Sequence, residues 1–216
     1  MSHWKRQSTP TSWPIERKGS TYVVKPRFSV KEGIPILILL RDMLKIAQNR
    51  SEVKRIIHLR QILVNERLVT DERNNLLFFD TLNIIPLKEY YRMELSENGK
   101  FYLNKIKESE ANKKIAKIIN KKMLKGKKIQ LNLSDGRNFL SSMKCNVNDS
   151  VEINLKEGKI EKCLPLKEKE RVVIFAGKHI GKRGEIEKLN LEEKTAKIKI
   201  AGKEINILIN QLMVVD

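Results

Sequence analysis

Behind Pro35, apolar side chains recur at three- and four-residue steps: Ile36, Leu39, Leu40, Met43, Leu44 and Ala47. That stripe predicts an amphipathic helix with the proline in its first turn, where a missing N–H costs no hydrogen bond. A second helix is expected to open at Ser51, a suitable N-cap, and to carry Val53, Ile56 and Ile57 on one face. Its other face presents Lys54 and Arg55, with Arg50 just before and Arg60 just after. Strand patterning then takes over. Ile62, Val64 and Leu68 flank Asn65-Glu66, which predicts a hairpin, and Leu77 to Ile85 reads as a further apolar strand ending at Pro86. Between Lys113 and Lys128, Ile115, Ile118 and Ile119 suit a helix, while Ile115, Lys117 and Ile119 suit a strand equally well. Lys128 to Leu133 alternates strictly between polar and apolar and runs into Ser134-Asp135-Gly136-Arg137, a strong hairpin signal. Val151, Ile153 and Leu155 alternate before Gly158. Val172 to Phe175, then Ala196, Ile198 and Ile200, then Ile205, Ile207 and Ile209 give short strands separated by glycine turns.

These elements predict an α+β, multi-domain chain. A basic extended arm occupies residues 1–33, and a helix pair feeding a hairpin occupies 34–104. A central antiparallel β domain follows over 105–170, and a small SH3-like β-barrel over 171–216.

Charge changes the picture most. The 216 residues hold 44 Lys and Arg against 26 Asp and Glu, a net +18. Such a surplus repels itself in a compact monomer and favours a polyanionic partner over a small-molecule substrate. It is concentrated: residues 1–33 carry seven basic and two acidic side chains, and residues 105–170 carry seventeen and nine. The stretch from Lys113 to Lys128 is rich in lysine and holds no acid. A chain laid along a phosphate backbone has this form, because each neutralised phosphate releases counterions. No apolar run approaches the roughly 18 residues of a membrane span, and Met1 to Arg17 lacks the apolar core of a secretory signal. Cys145 and Cys163 are too few for a disulfide framework and too far apart for a zinc knuckle, so both are expected as reduced thiols.

In the arm, Trp4, Trp13 and Tyr22 are interleaved with Lys5, Arg6, Arg17, Lys18, Lys25 and Arg27. Arginine pairs phosphates bidentately and a tryptophan face accepts a base, so Trp13 and these cations are candidate RNA contacts. The string His3-x-Lys5-Arg6-x-x-x-Pro10-x-x-Trp13-x-Ile15-x-Arg17 closely resembles the N-terminal signature of the S-four-e family of archaeal and eukaryotic small-subunit ribosomal proteins. Ile56-Ile57-x-x-Arg60-x-Ile62-x-Val64-Asn65-Glu66-x-x-Val69, followed by Asp80-x-Leu82, resembles the S-four RNA-binding module. Relatives usually have glycine where Arg60 and Glu66 stand, which leaves Asn65 to supply the left-handed turn residue. The string Ile129 to Asn138 is similar to the central signature of the same family, with Ser134 where histidine is commoner. Finally, Gly177-Lys178-His179-Ile180-Gly181-Lys182-Arg183-Gly184 resembles the KOW motif of ribosomal and transcription-elongation proteins.

The resemblance implies a structural constituent of the small subunit, bound to ribosomal RNA and to neighbouring ribosomal proteins, cytoplasmic and ribosome-bound, with no cofactor, metal, membrane or small-molecule substrate. Its candidate RNA contacts are the arm residues above, Arg50, Lys54, Arg55 and Arg60 on the second helix, and Lys127, Lys128 and Arg137 around the central hairpin. Lys178, Lys182 and Arg183 on the glycine loop complete the set. That loop is not a P-loop, since Lys182 is followed by Arg183 rather than a hydroxyl residue. His3, His58 and His179 are isolated, and no zinc, metalloprotease or nucleophile-elbow spacing occurs, so no catalysis is expected. Two other classes share these motifs: a free RNA-binding or transcription-elongation factor using its KOW barrel, and an RNA-modification enzyme with an S-four recognition arm. The second needs a catalytic domain of well over a hundred residues, about the size of a whole domain, and no segment is left to provide it.

Overall fold

The computed structural model describes residues 3–30, 32–126, 128–141, 143–200 and 202–215. The chain divides into two compact units, Met1–Asn112 and Lys113–Asp216. In the first unit the order is β1 (His3–Lys5), β2 (Tyr22–Val24), β3 (Gly33–Pro35), α1 (Ile36–Ile38), α2 (Arg50–His58), β4 (Ile62–Val64), β5 (Arg67–Leu68), β6 (Asn75–Leu77), β7 (Thr81–Ile84), β8 (Glu89–Leu95), β9 (Phe101–Ile106) and α3 (Glu108–Ala111). Strands β1 and β2 pair with each other, β3 pairs with β6, and the remainder form one antiparallel sheet in the order β5-β4-β7-β8-β9. The arm is therefore folded rather than extended. Ser12 O accepts the Phe101 N–H and Arg73 O accepts the Arg27 N–H, which ties it to the unit at both ends.

The α+β expectation gives way to a mostly-β protein whose helices are short. The helix expected over residues 36–47 shrinks to α1 followed by a wider turn, Leu39–Met43, in which the Leu44 N–H reaches Leu39 O at 2.9 Å. Ile36 through Leu40 are all buried, so this segment is enclosed on every side and packing overrides the amphipathic helix. Helix α2 is present but capped two residues earlier than expected. Asn49, not Ser51, accepts the Glu52 N–H at 2.9 Å, while the Glu52 carboxylate accepts the Gln48 N–H at 2.7 Å, a reciprocal cap. The strand expected from Leu77 to Ile85 is split into β6 and β7 by a turn through Phe79, whose φ is +60°. Asp80 holds this turn: its carboxylate accepts the Leu77 N–H and the Asn65 amide, both at 2.7 Å. The Asn65-Glu66 hairpin forms between β4 and β5 with both residues left-handed, at φ +49° and +60°.

The second unit runs β10 (Lys113–Met123), β11 (Ile129–Leu133), β12 (Asn138–Ser141), β13 (Ser150–Asn154), β14 (Lys159–Leu164), β15 (Arg171–Ile174), β16 (Arg183–Asn190), β17 (Thr195–Ile200), β18 (Lys203–Leu208) and β19 (Leu212–Val214). These make two five-stranded antiparallel sheets, ordered β12-β11-β10-β13-β14 and β18-β17-β16-β15-β19. The ambiguous lysine-rich stretch is strand β10. A bulge between Ile118 and Asn120 shifts its phase, so that Ala116 and Ile118 face the core before the bulge and Lys121 opposes Leu131 after it. That phase change is why a single period did not fit the segment. Buried Ile118, Leu131, Leu133, Val151 and Ile153 form the core of the first sheet, and Val172, Ile174, Ile186, Ile198 and Leu212 that of the second. The expected boundary at 104/105 falls inside β9.

Candidate nucleic-acid interface

The structure sorts the candidate cations into those exposed to a partner and those engaged by the fold. In the arm, Lys5, Arg17, Lys18 and Arg27 are exposed. Arg6 is not available as a phosphate fork. Its guanidinium donates to Ser20 O at 2.7 Å, Glu16 O at 2.7 Å and Ser20 Oγ at 2.8 Å, stapling the loop that returns toward β2. Trp13 is also corrected: with 3% of its surface exposed and its indole N–H directed to Val30 O at 3.3 Å, it belongs to the core and offers no face to a base. Lys25 lies 5.6 Å from the centroid of the Trp4 ring, a cation–π contact that partly covers it. Arg17 and the sequence-distant Lys100 line one shallow hollow beside Trp13. Lys100 carries no motif in the sequence; the bond from the neighbouring Phe101 N–H to Ser12 O holds this turn against the arm.

On α2, Val53 and Ile57 are buried while Lys54, Arg55 and His58 are exposed, so the helix turns one face to the core and a basic face to solvent. Arg60, exposed just past the helix, adopts φ +55°. Lys54, Arg55 and Arg60 make no ion pair among the described residues. Arg50 differs. It forks onto the buried carboxylate of Glu72, with its Nε 2.8 and 3.0 Å from the two oxygens, and that hydrogen bond raises its pKa. Its charge is neutralised within the fold.

In the second unit Lys128 is exposed, and Lys127 lies outside the described residues. Arg137 is four-fifths covered and sits 3.6 Å from Asp135, which also pairs with the buried Lys114 at 2.7 Å. Burial disfavours the ionised Asp135, but Lys114 and Arg137 outweigh it and hold the carboxyl below its ordinary value. Arg137 is therefore first a component of this network. Lys178 and Arg183 are exposed on the glycine loop and Lys182 is half-buried. The loop closes on itself through Gly181 N–H to Ile174 O at 2.7 Å, with Gly177 and Gly181 at φ +91° and +86°.

The fold does bring Cys145 and Cys163 into one core, although eighteen positions separate them in sequence. Burial, then a hydrogen bond with Cys145, pushes the Cys163 thiol up to about 12. Such a thiol is a poor nucleophile at neutral pH. Among the described residues, no group of three or more His, Cys, Asp and Glu is arranged to hold a metal ion, and no helix is long and apolar enough to cross a membrane.

Comparison with known proteins bears on this arrangement of basic surface. The model of Ribosomal family S4e matches residues 87–160, and that of the RS4NT (NUC023) domain matches residues 2–28. The chain is 37% identical over 198 residues to a protein of Methanocella arvoryzae described as small ribosomal subunit protein eS4, covering 90% of this chain and 84% of that one. The chain belongs to the S4e family. A second S4e relative, from Nanoarchaeum equitans and described in the same words, is 37% identical over 191 residues, covering 87% of this chain and 82% of that one. The crystal structure of the 30S ribosomal protein S4e from Thermoplasma acidophilum matches with a TM-score of 0.72 at 24% identity, covering 85% of this chain and 95% of that one. This S4e chain is thus a ribosomal protein rather than an enzyme, and its fold is that of the family.

Proposed function

We propose that the chain is a structural protein of the small ribosomal subunit that holds folded ribosomal RNA through exposed cations. The observation that carries this reading is α2: it buries Val53 and Ile57 and turns Lys54, Arg55 and the adjoining Arg60 outward without internal counter-charge among the described residues, whereas Arg50 beside them is neutralised. A basic helix face followed by the tight β4–β5 hairpin reads as an S-four-like module within the first unit. The arm of residues 1–33 contributes Lys5, Arg17, Lys18 and Arg27 to it. The two sheets of the second unit read as a central β domain and an SH3-like KOW barrel, whose loop offers Lys178, Lys182 and Arg183. Phosphates are the chemistry these groups recognise, with neutralisation of RNA strands that would otherwise repel each other as the architectural result. The partners are small-subunit RNA and neighbouring small-subunit proteins, on cytoplasmic ribosomes.

Sedimentation tests it. The protein should co-migrate with small subunits in a sucrose gradient at low salt and be released only by high salt. Recovery wholly in the ribosome-free pool, or together with RNA polymerase, would support the elongation-factor reading instead.

A further inference from the structure

Strands β10, β11 and β12 bury one face and expose the other. On the inner side Leu131 and Leu133 pack into the core, with Ile129 and Phe139 against it. The register aligns Asn120, Asn132 and Asn138 in one outward row and Lys122, Gln130 and Leu140 in the next. Asn120, Lys122, Asn138 and Leu140 are exposed, Leu140 by 62%. Four of the six positions are carboxamides, although asparagine is among the residues least suited to strands. The fold makes limited use of them: Gln130 Nε2 donates to Asn132 Oδ1 at 2.8 Å, and Asn120 Oδ1 accepts the Lys121 N–H at 2.7 Å. These two bonds orient the amides without covering them.

Neither hydrophobic packing nor net charge accounts for such a row, but its chemistry has a match. A carboxamide offers a donor and an acceptor side by side, the pattern of a base edge or a ribose hydroxyl. The shallow minor groove of an RNA helix displays both across a surface open to a flat sheet. No carboxylate lies in either row, and exposed Lys125 and Lys128 at the β10–β11 turn supply positive charge for flanking phosphates. We propose that this amide face is an RNA-reading site that contacts base edges and 2′-hydroxyls, with Lys122, Lys125 and Lys128 on the adjoining phosphates. The proposal rests on the reading that the chain binds ribosomal RNA, and adds to it a contact that is not electrostatic.

Binding of the purified full chain to a small-subunit rRNA transcript, measured over a salt series, separates the two. Replacing Asn120, Asn132 and Asn138 together by Ala should weaken binding by about tenfold or more while leaving the slope of log affinity against log salt unchanged, because no phosphate contact is lost. Lys122→Ala should instead lower that slope by about one. Asn138→Ala alone, on the edge strand, serves where the triple variant fails to fold, and should retain the slope with a smaller loss. An amide variant of native-like melting that binds within about twofold of the wild type, or one whose slope also falls, overturns the amide site. Wild-type protein that does not bind the transcript at all overturns the ribosomal reading beneath it.

Discussion

Lys114 and Asp135 show how individual cations are diverted from a partner. Lys114 is 2% exposed, and burying an ammonium without a counter-charge costs several kcal/mol, so the Asp135 carboxylate 2.7 Å away is what makes the position tenable. The same carboxylate accepts the Arg137 N–H at 3.0 Å, so one side chain shapes the turn and neutralises the lysine. Asp135→Asn keeps the turn but removes the charge, and is expected to cost about 3 kcal/mol or more in chemical denaturation at pH 7. The pH dependence has a definite sign. The folded pKa of Asp135 lies below its ordinary 3.8, so its stabilisation is fully present above that value and is lost as pH falls through the folded pKa. The gap between wild type and variant should therefore close in acid; a gap unchanged between pH 7 and pH 3 would mean the carboxylate charge is not what matters.

Among the elements, those written in local chemistry were legible. Asn65-Glu66 and Asp135-Gly136 announced their hairpins, and the alternation from Lys128 to Leu133 and over the last strands appears in the register. What was hidden depends on distant partners. Strands β8 and β9 carry mixed residues that become a sheet only against β7, and β10 changes phase at its bulge. Arg6 and Arg50 read as RNA ligands because nothing local announces Ser20 or Glu72 as their acceptors. Glu66 and Arg60 take left-handed backbone where glycine was expected, at about 1–2 kcal/mol each, and the buried Asn65–Asp80 pair helps hold Glu66's turn in place. The basic face of α2, by contrast, was visible from spacing alone. Lys54, Arg55 and Arg60 replaced together by Ala should weaken binding to small-subunit RNA and lower the salt slope by about three, one for each lost phosphate contact. The melting temperature should hardly move, since all three side chains are exposed. An unchanged slope would mean that this face is merely solvated.

For the molecule as a whole, a net charge of +18 must be carried without unfolding it, and most cations achieve this by staying in water. Lys117 does not. It lies in β10 with 2% of its surface exposed, and its ammonium donates to Leu212 O at 2.8 Å and to Ile209 O, 5.9 Å from the Phe175 ring centroid. Ser150 adds a second tie, accepting the Val214 N–H at 2.9 Å. One buried lysine thus joins the two sheets of the second unit, so these sheets are expected to unfold together rather than separately. Burial pulls the Lys117 pKa down to about 8 from 10.5. Between those values the unfolded chain holds a proton that the folded chain has released, so stability rises with pH across that window and carries its full penalty below it. A shift of that size is worth up to about 3 kcal/mol. Denaturation of the wild type should therefore give a stability that climbs from pH 8 to pH 10 relative to Lys117→Met, which retains the stem and carries no proton. The variant should also lose the single shared transition of the second unit, because the carbonyls of Ile209 and Leu212 lose their donor. Parallel pH profiles for the two proteins would show that the ammonium is solvated and that Lys117 is not what joins the sheets.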